Sequence, residues 1–480
     1  MASGAFRVGT AVSFIAVFVA IYYRNFSNDV LKVRLNSVLQ GLVEVERQHS
    51  VRTKAKVAIG YGACQDLFVD GKDLLMYDVA AMYPEHFSDI STTEELLKTY
   101  AYFFRHGAAA ERYVSNGSLF DTLVANAEKM NSAHYGLGGN APVMASRFHL
   151  EGCEVLLAAK MTDELQKTLP KGVRVVGGDV QKDDIHLILE YKADEEWGSY
   201  TSPRANRFII HNDQNNPFVS SLEAFGEELK KFNPSLLVVS GLQMMDMYPF
   251  APGEREKRLA KIRDQMIDQS QKTRIHFEMA SFVEEELLKQ LADGIIPYAD
   301  SLGMNEQELA NLYNTVLYGN ISLVADSNPR VAIVLDQMRQ IFRLLTDRNK
   351  HIDNSRQLTR LHVHTLAYQA ILTVRQSPWR NSKAAAAKAS LTANRHVCGS
   401  TEVDIDNAML IMDESFSTSI TAGSPRVPLD INEPISCWEE SLENGPEVEI
   451  CVAPVLVCLR AHQTAGGGDN ISSAGLSLQI

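Results

Sequence analysis

Val452–Cys458 reads VAPVLVC, and five residues later Thr464–Ser472 reads TAGGGDNIS. A short apolar run next to turn-forming residues marks a buried strand. The three glycines that follow let the chain bend tightly, and a short helical pattern resumes behind them. In such a bend the backbone N–H groups of Gly466, Gly467 and Gly468 can converge on an anion, and the helix adds the partial positive charge of its N-terminus. Asp469 can then accept a proton from an attacking hydroxyl. Phosphoryl transfer needs this arrangement, because positioning and charge stabilisation supply most of its catalysis. Taken alone, the pattern is met equally by a glycine turn whose Asp caps a helix.

Upstream, short apolar strands alternate with helical patterns. Strands are expected at Lys56–Ile59, Glu154–Ala158, Arg174–Val176, Ile185–Glu190, Phe208–Ile210, Ser235–Val239, Arg274–Glu278, Ile321–Val324, Arg360–Val363 and Val452–Cys458. Helices are expected between them, among them Thr93–Arg105, Leu222–Lys231, Glu254–Gln271, Asn328–Arg348 and Thr365–Val374. Continuous apolar strands alternating with helices predict an α/β fold, a doubly wound and mostly parallel sheet flanked by helices. The alternating run His186–Tyr191, followed by Arg207–Ile210, predicts a smaller antiparallel lid. Ser377–Ser400 and Ser417–Glu433 are rich in small and turn-forming residues and read as loops, with a short helix at Ala384–Ala387.

Three further constellations carry chemistry. Gly138-Gly139-Asn140 opens a helix; it can bring backbone amides and the Asn amide against hydroxyls, or it is an N-cap made by Asn140. Asn305-Glu306-Gln307-Glu308 places a carboxylate able to hold the water shell of Mg²⁺, and it fits a capping box equally well. His276 and Glu278 share one face of a strand end, where open α/β sheets bind ligands; a satisfied core histidine is the alternative. The pair His362 and His364 lacks further ligands at zinc-site spacing.

The 480 residues hold 46 Lys+Arg against 59 Asp+Glu, a net charge of −13, which argues against a non-specific nucleic-acid binder. With 45% hydrophobic and 22% charged residues the chain is globular and not a multi-span membrane protein. Val8–Tyr23 is an uncharged apolar run of roughly 24 Å as a helix, expected as a signal anchor, a possible membrane tether, or as a cleaved signal peptide. Either sends the chain into the secretory pathway, to the lumen of the endoplasmic reticulum or to secretion. The terminal LSLQI carries no retrieval tetrapeptide, so retention is expected to need the anchor. Sequons at Asn25, Asn116 and Asn320 fit that route, whereas the one at Asn470 should stay bare. The six cysteines are no disulfide scaffold; a Cys398–Cys458 pair is expected. The expected division is 1–24 signal or anchor, 25–50 amphipathic helix, and 51–480 one catalytic unit with a discontinuous lid from about 64–115 and 170–215.

In this order the motifs resemble the ADP-dependent sugar kinase family. The resemblance is carried by GYGACQDLFVDG (Gly60–Gly71), GAAAERY (Gly107–Tyr113), GLGGNAPVMA (Gly136–Ala145), ANRFI (Ala205–Ile209), VVSGLQMM (Val238–Met245), HFEMAS (His276–Ser281), SLGMNEQEL (Ser301–Leu309), RLHVHTL (Arg360–Leu366), PVLVC (Pro454–Cys458) and TAGGGDNIS (Thr464–Ser472). It implies a ribokinase-like fold with the sugar in a cleft between a large α/β domain and a small lid. It also implies a monomeric catalytic domain that moves the terminal phosphate of ADP to O6 of glucose. By resemblance, Asp469 is the catalytic base and Gly466, Gly467 and Gly468 form the anion hole. Asp66, Glu111, Gly138, Gly139 and Asn140 match sugar-binding positions, and Glu278 and Glu308, together with Asp469, match acidic positions associated with Mg²⁺. Arg207 is expected to contact phosphate, since a guanidinium suits its oxygens. One departure is Gly62, where relatives carry Asn; the lost amide removes one sugar hydrogen bond, ~0.5–1.5 kcal/mol, and leaves weak glucose affinity or another sugar open. The same chemistry on fructose 6-phosphate and a catalytically silent, membrane-tethered sugar- or nucleotide-binding protein are the alternatives.

Overall fold

Along a strand, neighbouring side chains point to opposite faces, so a strand covered by helices on both sides is largely apolar on both. Lys56–Gly60 does this: Val57 and Ile59 enter one core with Met144, Phe148 and Leu476, while Ala58 enters another with Phe225, Ile262 and Phe342. Leu236–Val239 divides in the same way. Each such fully buried leucine or isoleucine contributes about 1.5–3 kcal/mol. The computed structural model describes residues 29–52, 54–322, 324–326 and 328–480.

The large sheet has ten strands, in the order Ser436–Ser441, Glu447–Pro454, Tyr368–Val374, Arg360–His364, Ser301–Asn305, Arg274–Glu278, Leu236–Val239, Lys56–Gly60, Glu154–Ala158 and Arg174–Val176. All neighbours from Arg360–His364 onward are parallel. Tyr368–Val374, Glu447–Pro454 and Ser436–Ser441 add an antiparallel edge. The expected doubly wound, mostly parallel sheet flanked by helices is therefore present. A second sheet of six strands follows the order Asp89–Ile90, Ala110–Val114, Asn206–His211, Ile185–Tyr191, Cys64–Asp70, His134–Gly138. Ile185–Tyr191 runs antiparallel to Asn206–His211, and His211 pairs with His186. The chain passes between the sheets at residues 61–63, at Gly139, at residues 177–184 and at residues 212–221. These crossings gather beside the carboxyl ends of the parallel strands, the place where open α/β sheets bind ligands.

Several elements differ from the reading of the sequence. Thr365–Val374 is not a helix: Tyr368–Val374 is a strand paired with Arg360–His364 on one side and Glu447–Pro454 on the other. Buried on both faces, its sequence YQAILTV lacks the alternation that would separate strand from helix. Ser377–Ser400 is not a loop: Ser382–Val397 is a 16-residue helix. Its small residues serve close packing, with Ala384, Ala385, Ala386, Ala387 and Ala389 fully buried. A Cβ on Gly475 of the facing C-terminal helix would lie 3.6 Å from the Ala385 carbonyl. Ile321–Val324 forms no strand among the described residues. The expected strand Val452–Cys458 is two strands, Glu447–Pro454 and Leu456–Cys458.

Residues 29–47 form a helix that buries Leu35, Val38 and Leu42 against the Ser382–Val397 helix and Ile435. Glu46 ties it to Arg395 at 2.9 Å. The apolar run at 8–23 and the sequon at Asn25 lie outside the described residues. No described helix is long and apolar enough to cross a membrane. Cys398 pairs with Cys458, as expected from the sequence. A second bridge, Cys437–Cys451, joins directly opposed residues of adjacent strands and was not expected.

Candidate active site

The strand Glu447–Pro454 runs in the direction of the parallel strands, so its end delivers the chain to their carboxyl edge. From there residues 459–466 lead into the C-terminal helix Gly467–Gln479. Gly466 is the N-cap, with φ 67°, a left-handed conformation that glycine adopts without a Cβ penalty. The first-turn amides have no carbonyl one turn earlier to bond, so they remain free to point at an anion. Gly468 packs under an imidazole: a Cβ there would lie 2.9 Å from His364 Cε1. The bend is fixed from behind, where His396 Nε2 lies 2.8 Å from the Ala465 carbonyl and Cys398–Cys458 clamps its approach. Arg147 donates to Asn470 Oδ1 at 2.8 Å, and the Asn470 amide returns to Gly466 O at 2.9 Å. Asn470 is buried in this contact.

Asp469 occupies the first turn of the helix and does not cap it. Its Oδ1 accepts a 2.9 Å hydrogen bond from Asn140 Nδ2, and Asn140 Oδ1 accepts one of 2.7 Å from Gln243 Nε2. Asn140 likewise caps nothing; Gly139 holds the N-cap position. Burial, and then the charge of Glu278, push the Asp469 carboxyl up to about 7. The Asn140 bond and the charge of Arg207 pull against that rise. A carboxylate tuned near neutrality is suited to take a proton at physiological pH.

Glu278 ends its strand buried, accepting from Ser472 at 2.8 Å and lying 2.7 Å from His276 Nε2. His276 is a satisfied core histidine, because its other nitrogen lies 2.8 Å from Ser301 Oγ. Gly303 leaves the room Glu278 needs, for a Cβ there would collide with that carboxylate. Glu308 closes a complete capping box: it accepts from the Asn305 backbone and side chain, each at 2.8 Å, while Asn305 Oδ1 accepts from the Glu308 amide. Burial raises both glutamates to about 8, and Glu278 and Asp469 add like-charge pressure on Glu308. Buried carboxylates that repel one another suit a cation. Their hard oxygen donors favour Mg²⁺ over a thiolate- or imidazole-seeking metal. Each oxygen of Glu278 and Glu308 already has a protein partner, which suits contact through the metal's water shell.

Across the cleft, the six-stranded sheet carries Asp66, Glu111 and Arg207. Gly138 packs directly on the Asp66 carboxylate, and a Cβ on Gly139 would meet Ala63 Cα at 2.9 Å, so both backbones sit against the hinge. Burial pushes Asp66 up to about 6, against the opposing charge of His186. Arg207 Nη1 donates to Asn206 Oδ1, while its Nε is buried with no protein partner. Its charge acts on both Asp66 and Asp469, and that of Glu111 acts on Asp469, so the four are electrostatic neighbours. Gly62 has φ 79°; among side-chain-bearing residues Asn is one that tolerates this region, so the Asn-to-Gly departure leaves the turn intact. The sequence reading missed Gln243, Arg147, Ser472, His396 and the buried His186–Asp213 pair. Only Gln243, just past the carboxyl end of a strand, carried a positional signal.

The model of the ADP-specific phosphofructokinase/glucokinase conserved region matches residues 55–478, from the first sheet strand to the end of the helix that bears Asp469. The chain belongs to this family. It is an ADP-dependent sugar kinase. It is 33% identical over 426 residues to the ADP-dependent glucokinase of Bos taurus, covering 88% of this chain and 84% of that one. It is 27% identical to the probable ADP-dependent glucokinase of Caenorhabditis elegans, over 96% and 92% of the two chains. Among solved structures, an ADP-dependent kinase in complex with fructose 6-phosphate and ADPβS superposes with a TM-score of 0.64 at 17% identity, over 93% of this chain and 97% of that one. A hypothetical ADP-dependent phosphofructokinase from Pyrococcus horikoshii gives 0.56 at 17% identity, over 89% and 98%. At that identity the two structures speak for the shared fold.

Proposed function

We propose that this protein transfers the β-phosphate of ADP to the 6-hydroxyl of D-glucose, giving AMP and glucose 6-phosphate. The observation that carries the reading is Asp469: a buried carboxylate, aimed by Asn140, in the first turn of a glycine-nucleated helix. In this reading Asp469 accepts the O6 proton as O6 attacks the β-phosphorus. The Gly466–Gly468 amides and the helix N-terminus stabilise the charge on the moving phosphoryl group. Gln243 orients Asn140, which holds the carboxylate towards the sugar. Asp66, Glu111 and the Gly138–Gly139 backbone receive the remaining sugar hydroxyls. Arg207, whose Nε is buried without a partner, meets phosphate oxygens from the opposite wall. Glu278 and Glu308, with Asp469 beside them, would hold Mg²⁺ through its water shell; when bound, the ion neutralises charge between the phosphates. Closure of the six-stranded sheet over the cleft keeps water from the phosphoryl donor. The two relatives named above, both called glucokinases, favour glucose over fructose 6-phosphate.

The test is incubation of the purified protein with Mg²⁺ and either ADP or ATP, with glucose or fructose 6-phosphate as acceptor. AMP and glucose 6-phosphate formed from ADP are expected. Preference for ATP, or phosphorylation of fructose 6-phosphate with glucose untouched, would overturn the reading.

A further inference from the structure

Behind Asp66 and Glu111 lies a buried ionic cluster that the proposed reaction does not use. Asp213 is fully buried and His186 is 5% exposed. His186 Nε2 lies 3.1 Å from both carboxylate oxygens of Asp213, and its Nδ1 lies 3.5 Å from Glu111 Oε1. In the sheet His186 pairs with Asp66 on one side and His211 on the other. A neutral imidazole always has one bare ring nitrogen, and here either tautomer would turn that nitrogen's lone pair towards a carboxylate. The geometry is satisfied when both nitrogens carry protons.

We infer that Asp213 is a positioning residue of the sugar site: from behind, it holds His186 as an imidazolium, and that cation stands between the acidic side chains of Asp66 and Glu111 and holds both in place. The inference rests on the reading of Asp66 and Glu111 as sugar ligands. Without the cation, the main offset to the repulsion between Glu111 and the buried Asp66 is lost. Asp213 is itself held rigidly. Asn216 Nδ2 donates to it at 2.6 Å, and Asn216 clasps the hinge through the Ala63 amide and carbonyl, both at 3.0 Å. The groups facing His186 are Asp213, Glu111, Asp66 and the tilted ring of His211, 4.8 Å away; Cys64 and Asp184 face the carboxylates beyond them. Burial opposes the charge on His186, but Asp213 outweighs it and raises the imidazole to about 10. Burial likewise opposes ionisation of Asp213, and His186 and His211 hold it below the usual carboxylate range.

The test uses the full chain. Long-range ¹H–¹⁵N correlation spectra of ring-labelled protein at pH 8, assigned with His186→Asn, are expected to show both His186 nitrogens protonated. Asp213→Asn is expected to make that ring neutral and to raise the KM for the sugar ~10-fold or more, the loss of a charge-assisted contact. The KM for ADP should stay within about 3-fold, a split that general damage to the fold would not give. A neutral His186 in the wild-type protein overturns the inference, as does an unchanged sugar KM in Asp213→Asn. So does stoichiometric metal bound by His186, His211 and Asp213, whose donor atoms lie close enough to share one. If the wild-type protein phosphorylates no sugar, the proposed function fails, while the imidazole spectrum still decides the charge of His186.

Discussion

Gly468→Ala puts one methyl group where the bend meets the large sheet. The new Cβ would lie 2.9 Å from His364 Cε1 and 3.2 Å from His364 Nε2. His364 is buried on the strand Arg360–His364 with the His362 ring 6.0 Å behind it, so the imidazole has little room to retreat. Ordinary contact would need the bend to move outward by roughly 0.5–1 Å, at an overpacking cost of ~1–3 kcal/mol. Alanine recovers about 0.8–1 kcal/mol of helix propensity over glycine, so the net change in stability should be no more than ~2 kcal/mol. Activity should suffer more, because the displaced amides no longer meet the charge that develops on the phosphoryl group. Losing one such donor costs ~100- to 1,000-fold in kcat, about 2.7–4 kcal/mol. The assay is ADP-driven formation of glucose 6-phosphate, with thermal unfolding recorded alongside. A kcat within about 3-fold of wild type in a folded variant would refute the assignment of the glycine amides.

Asn140→Ala removes the 2.9 Å hydrogen bond to Asp469 and leaves Gln243 without its acceptor. A hydrogen bond to a charged group is worth ~1.5–3 kcal/mol, so kcat should fall ~10- to 100-fold, as initial rates at saturating sugar would show. The acidic cluster also predicts a pH dependence of stability. Burial raises Asp469 to about 7 and Glu278 and Glu308 to about 8, above unfolded values of about 4, and like-charge repulsion adds to the rise of Asp469 and Glu308. Raised carboxyls favour the folded protein most while protonated, so their contribution is complete below about pH 4 and is lost as pH rises through 7–8. Metal-free protein should therefore melt lower at pH 8.5 than at pH 6, and Mg²⁺ should raise Tm more at pH 8.5. Equal Mg²⁺ shifts at both pH values, read by scanning calorimetry, would contradict that placement of the cation.

Strands of the parallel sheet were legible as short, largely apolar runs; Glu154–Ala158, the edge strand Arg174–Val176 and Arg274–Glu278 fell where expected. Burial on both faces hid Tyr368–Val374, whose sequence shows no strand alternation. Ser382–Val397 was hidden by composition, since residues small enough to let two helices approach are also those that fill loops. In the site, the motifs announced Asp469 and Asn140 separately. Their contact joins residues 329 apart in the chain and follows from the fold alone. Both motifs also fitted local capping. For Asn305 and Glu308 the cap is real, and for Asp469 and Asn140 it is not. Asp213 and His186 gave no signal, because a buried ion pair between a strand and the connection that follows its neighbour has no local pattern.

The central claim is that the Asp469 carboxylate takes the proton of the sugar hydroxyl. Asp469→Asn keeps the size of the side chain and abolishes the base. ³¹P spectra of ADP, glucose and Mg²⁺ mixed with wild-type or variant protein measure this directly. The account predicts glucose 6-phosphate and AMP from the wild type and at least a ~100-fold lower rate from a folded variant. Turnover by Asp469→Asn close to the wild-type rate would contradict it.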